Sequence, residues 1–114
     1  MNLSDVRKVA LALPDVEDAT TYGSPAFKAG GKMFACVAIH KSAEPGSLMI
    51  RVDFDRRAEL LAEAPDVYYL TPHYADYPAV LVRLSKVSKD ALRDLLGGAL
   101  RFVTTKKVKS RKAK

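Results

Sequence analysis

Ala26-Phe27-Lys28-Ala29-Gly30-Gly31-Lys32-Met33-Phe34-Ala35-Cys36-Val37-Ala38-Ile39 decides the fold. Gly30-Gly31 stands between two apolar stretches, and both glycines accept positive φ, so the pair makes a two-residue hairpin turn. Ala26 to Ala29 is then a short strand and Lys32 to Ile39 its returning partner. In the returning strand Met33, Ala35, Val37 and Ile39 point one way; Phe34, Cys36 and Ala38 point the other. Both sets are apolar, which places this strand inside a sheet covered on both faces.

Working outward, Lys41 to Gly46 is a polar turn and Leu48 to Phe54 the next strand. Its apolar positions Leu48, Ile50, Val52 and Phe54 alternate with Met49, Arg51 and Asp53. Asp55 is a candidate cap for a short helix over Arg56 to Glu63, with Leu60 and Leu61 inward and Pro65 as its stop. Val67 to Leu70 is rich in strand formers and is broken by Thr71-Pro72-His73-Tyr74 and Tyr77-Pro78. Ala79 to Leu84 is the last strand. Residues 14–25 read as a loop with an extended piece at Ala19 to Tyr22.

Helices bracket these strands. Ser4 is the expected cap of a first helix over residues 5–13, with Val6, Val9, Ala10 and Leu13 at helical spacing. Ser88 caps a last helix with an inward stripe of Leu92, Leu95, Leu96, Ala99, Leu100 and Val103. Gly97-Gly98 in its middle point to close packing or a bend. Successive strands between helices predict an α+β domain: an antiparallel sheet with both terminal helices on one face. The 114 residues make one such domain over residues 1–105.

Lys and Arg total 19 and Asp and Glu 13, but the excess is local. Lys106, Lys107, Lys109, Arg111, Lys112 and Lys114 crowd residues 106–114, where no acid occurs. The remaining 13 basic residues balance the 13 acids. The sequence thus predicts a neutral body and a basic, disordered tail. Nothing approaches the length of a membrane span or has the pattern of a signal peptide. With a single cysteine, Cys36, this reads as a cytoplasmic chain without disulfides.

Three stretches carry a family resemblance. Thr21-Tyr22-Gly23-Ser24-Pro25-Ala26-Phe27-Lys28 leads into Gly31-Lys32-Met33-Phe34-Ala35. Arg51-Val52-Asp53-Phe54-Asp55 comes next, and then Tyr69-Leu70-Thr71-Pro72-His73-Tyr74 with Tyr77-Pro78 and Val80-Leu81-Val82. In this order and spacing they resemble the MmcQ/YjbR family over roughly residues 3–105. The resemblance implies a frataxin-like (CyaY-like) α/β sandwich and a DNA-binding role. Ala79 departs from it, standing where such proteins often have tryptophan, and the basic tail is not a family feature.

The residue types argue for binding rather than catalysis. Cys36 would need a nearby base and an accessible thiolate to act as a nucleophile, and a strand cysteine beside Phe34 and Val37 reads as core. His40 and His73 are the only histidines and show no metal-ligand spacing, so no metal or cofactor is expected. Gly30-Gly31-Lys32 lacks the frame of a phosphate loop. Two binding surfaces remain. The six tail cations would contact DNA phosphates without regard to sequence. Alternatively, the loop around His73 and Tyr74, with Tyr77, Arg51, Lys28 and Lys32, would serve a protein partner or small ligand. A simpler account of that loop is a proline-shaped turn lidded by tyrosines.

Overall fold

A computed structural model describes residues 1–21 and 23–104. The six tail cations and the expected disorder around them lie outside the described residues. The order is α1 (Leu3–Leu11), β1 (Val16–Thr21), β2 (Ser24–Ala29), β3 (Lys32–Val37), β4 (Ser47–Arg51), α2 (Phe54–Glu63), β5 (Tyr68–Tyr69), α3 (Pro72–Ala75), β6 (Ala79–Arg83) and α4 (Lys89–Thr104). The strands form one antiparallel six-stranded sheet in the order β1-β2-β3-β4-β6-β5. This is the α+β architecture expected from the sequence.

The hairpin turn forms as its glycines predict, with φ of 59° at Gly30 and 79° at Gly31. The returning strand departs from simple alternation. Lys28 pairs with Met33 but Phe27 pairs with Ala35, so Phe34 has no partner across the ladder. This bulge reverses the facing of the residues beyond it. Phe34 and Ala35 both enter the larger core, whereas Met33 and Cys36 belong to a smaller cluster on the other face. A single face for Met33 and Ala35, as strict alternation requires, is therefore corrected.

The larger core lies between the sheet and the terminal helices. Phe27, Phe34, Leu48, Ile50, Val80 and Val82 project from the strands and are fully buried. Against them pack Val6 and Ala10 of α1 and Leu92, Leu96 and Ala99 of α4. Burying each large apolar side chain is worth about 1.5–3 kcal/mol, so this layer dominates the stability. Both terminal helices lie on this one face, and Leu60 of α2 joins the same core.

Several local assignments shift by a few residues. Asn2, not Ser4, caps α1: its side chain takes the Asp5 N–H at 2.9 Å, while the Asp5 carboxylate takes the Asn2 N–H at 3.0 Å. Asp53, not Asp55, caps α2 by accepting the Arg56 N–H at 2.7 Å. Phe54 therefore leaves the strand and is exposed. Ser88 caps α4 as expected, accepting the Ala91 N–H at 3.1 Å.

The stretch expected to be a loop contains the full edge strand β1, paired with β2 from Val16↔Ala29 to Thr21↔Ser24. Its acids Glu17 and Asp18 mask the strand pattern and suit an edge, where charge discourages further pairing. Neither glycine in α4 meets the sheet. A Cβ at Gly97 or Gly98 would touch only the Arg101 side chain, at 3.6 and 3.8 Å. No helix among the described residues is long and apolar enough to cross a membrane.

Candidate functional site

The face of the sheet away from α1 and α4 carries a cross-strand row, Ala26–Cys36–Met49–Leu81–Tyr69, set by the pairings Ala26↔Cys36, Cys36↔Met49, Met49↔Leu81 and Tyr69↔Leu81. One end of this row is covered. Tyr74 of α3 is buried on it, and Ala38 and Ala43 pack from the loop after β3. Beside Tyr74, the row opens at Cys36 and Met49 into a cleft of about 510 Å³. That volume falls in the range of small-molecule sites, roughly 300–1,000 Å³.

The floor of the cleft is Met33, Cys36, Met49 and Ala79, and Arg51 lines it from the end of β4. Its rim includes Thr21, Ile39, His40, His73 and Tyr77. Ile39 and Tyr77 are among the few large apolar side chains left exposed, at 50% and 53%. Both border this cleft, so the exposed apolar surface gathers where a ligand would meet it.

The wall of the cleft is built by pinning the loop after β3 to α3. Ser42 Oγ and Thr71 Oγ1 lie 2.8 Å apart. The His40 N–H donates to Tyr74 Oη at 3.4 Å. The His40 and His73 rings stack with centroids 3.6 Å apart and planes within 8°. Tyr74 meets both imidazoles edge-on. Behind this, the Tyr69 hydroxyl accepts the Glu44 N–H at 2.8 Å and bonds to Ser47 Oγ. Arg83 lies over the Tyr69 ring, grips Glu44 through both carboxylate oxygens, and donates to the Pro65 and Asp66 carbonyls.

Local hydrogen bonds define the state of the stacked pair. The Ser42 backbone N–H donates to His40 Nδ1 at 3.1 Å, which makes that nitrogen an acceptor. His40 is thereby held as the neutral Nε2–H tautomer. Desolvation pulls its pKa below the ordinary value, and the neighbouring His73 and Lys41 pull in the same direction. Burial pushes the Cys36 thiol upward, and the Arg51 guanidinium offsets part of that shift. Burial also raises Tyr74, which favours the phenol, while the His40 N–H pulls the other way.

The arginines divide by what they hold. Arg7 pairs with Asp18, Arg56 with Glu59, and Arg93 with Asp90. Arg57 donates to the Ala75, Tyr77 and Ala79 carbonyls and fixes the link between α3 and β6. Arg51 differs, because no acid or carbonyl among the described residues takes its guanidinium. It acts instead as a nearby positive charge on the Cys36 thiol.

Of the residues that the sequence suggests for a ligand or partner site, Arg51, His73, Tyr74 and Tyr77 meet at this cleft. Lys28 and Lys32 do not line it: they sit at the hairpin end, opposite Met33 and Ala29. His40, Cys36 and Met49 join the site without being expected there. His40 arrives through the folding of its loop and Cys36 through the bulge, and neither event has a short-range sequence signal. Tyr74 is the lidding residue of the simpler account, whereas His73 and Tyr77 remain exposed. Among the described residues, no group of three His, Cys, Asp or Glu side chains is placed to hold a metal ion.

Known proteins share this outline. The family model described as YjbR matches residues 11–101. A crystal structure of a Deinococcus radiodurans protein with a DUF419 domain superposes with a TM-score of 0.76 at 27% identity, covering 93% of this chain and 80% of that one. Uncharacterised proteins of Mycobacterium tuberculosis and Mycobacterium bovis are 49% identical over 37 residues. That match takes in 32% of this chain and 29% of theirs, so the chain spans under a third of the length of these curated relatives.

Proposed function

The chain belongs to the MmcQ/YjbR family, and from that premise we propose that it is a cytoplasmic, non-catalytic binding domain whose ligand site is the cleft on the helix-free face. One observation carries the reading: exposed Ile39 and Tyr77 line the same cleft as Arg51, which is unpaired among the described residues. A concave, mostly apolar surface with a few convergent polar groups is the usual form of a small-molecule site. The lining favours binding over chemistry. Among the described residues it holds no carboxylate, and burial favours the thiol form of Cys36. The test is NMR titration of the labelled full chain with a fragment library. Perturbed resonances should gather at Cys36, Ile39, Met49, His73 and Tyr77. Perturbations scattered over the surface, or none, would overturn the reading.

A second reading rests on charge. Six cations and no acid in residues 106–114 suit sequence-independent binding to DNA phosphates. On this reading, duplex affinity falls steeply with salt. Deleting residues 106–114 then reduces the log–log slope by up to roughly 0.9 for each phosphate the tail had neutralised. Unchanged binding after the deletion, or none at low salt, removes it.

A further inference from the structure

Arg51 gives the cleft a chemical preference. It is half-buried, stands at the end of β4 opposite Ala79, and has no acceptor among the described residues. A guanidinium presents a planar fork of donors and pairs best with an anion that offers two oxygens side by side. Among the described residues, no Asp or Glu lines the cleft to compete for it. Elsewhere in this protein, arginines of comparable reach are neutralised by acids or carbonyls.

The remaining lining limits the size of the charge. Among the described residues, Arg51 is the one lysine or arginine that lines the cleft. A phosphate monoester carries about −1.5 to −2 at neutral pH and would bring more charge than this lining answers. A monoanion is matched. The body of such a ligand would lie on Met33 and Met49, whose thioethers are soft and adaptable and make favourable contacts with aromatic rings. Tyr77 and His73 on the rim add ring surfaces for the same partner.

We propose that the cleft takes an aromatic monoanion, a carboxylate or sulfonate, with its anionic group on the Arg51 fork and its ring against Met33 and Met49. This rests on the cleft being the ligand site.

The experiment compares two dyes on the full chain: 1-anilinonaphthalene-8-sulfonate and its uncharged relative N-phenyl-1-naphthylamine. Fluorescence gives the affinities, and NMR shifts locate the dyes. Removing a hydrogen bond to a charged group costs enough that Arg51→Gln should weaken the sulfonate roughly tenfold to a hundredfold. The neutral dye should stay within about twofold. Arg51→Gln should also melt as the parent does, since the substitution breaks no pairing among the described residues. If both dyes shift cleft resonances and Arg51→Gln changes neither affinity, the monoanion inference falls while the cleft stands. If neither dye shifts resonances at the cleft, both fall.

Discussion

On the helix side of the sheet, Phe27, Phe34, Leu48 and Ile50 are sealed beneath α1 and α4. On the opposite side, Ala26, Cys36, Met49 and Leu81 form a smaller cluster partly covered by α3 and the loop after β3, and Cys36 and Met49 line the open cleft. The residue types match this difference. The sealed face uses phenylalanine and branched aliphatics, whose few rotamers suit close packing. The open face uses alanine, cysteine and methionine, which leave room or adapt to what fills it. Stability is concentrated on one face, and the other is free to specialise.

The largest effect expected from this contrast is on the sealed side. Phe34→Ala should cost about 3–5 kcal/mol, as emptied phenylalanine sites do. Met49→Ala, which enlarges a space already reached by water, should cost under about 2 kcal/mol. Denaturant unfolding measures both, and equal costs would abolish the distinction between the faces.

A smaller effect concerns the wall of the cleft. Folding holds His40 below its ordinary value of 6.5, so the unfolded chain takes up a proton that the native state refuses. The resulting stability is fully present above that ordinary value and disappears as pH falls through the lower folded one. Melting temperature should therefore drop on acidification through this window, and His40→Gln should flatten part of the drop. An identical pH profile in the variant would show that the stacked pair does not feel the proton.

The smallest effect lies on the outer surface of α4, where the sealed layer has slack. A Cβ at Gly97 meets only the Arg101 guanidinium, at an ordinary contact distance. Gly97→Ala should therefore stabilise by about 0.5–1 kcal/mol through helix propensity. Destabilisation in a thermal melt would mean that the helix needs the glycine for a contact beyond this fold.

How much of the molecule is legible in its sequence depends on range. The Gly30-Gly31 turn, the alternation of β4 and the stripe of α4 are short-range patterns, and all three form. β1 escapes the pattern because an edge strand with one exposed face can be polar, and Glu17, Asp18 and Thr20 are exposed. The caps shift because Asn2 and Asp53 compete with Ser4 and Asp55, which have similar capping propensity. Arg51, His73, Tyr74 and Tyr77 stand out by residue type and loop position. Their convergence with His40 does not, because it depends on Ser42 meeting Thr71 across two loops.

Phe34 acts as a change of phase in the middle of the chain. Before it, odd-numbered residues of β3 look toward the cleft; after it, even-numbered ones do. Removing Phe34 would restore plain alternation and keep the neighbouring pairings, Met33 with Lys28, Ala35 with Phe27 and Cys36 with Ala26, so the faces would stay as they are and the sealed core would lose one ring. The bulge is thus one extra residue spent on the sealed side, inserted without moving the residues that face the cleft.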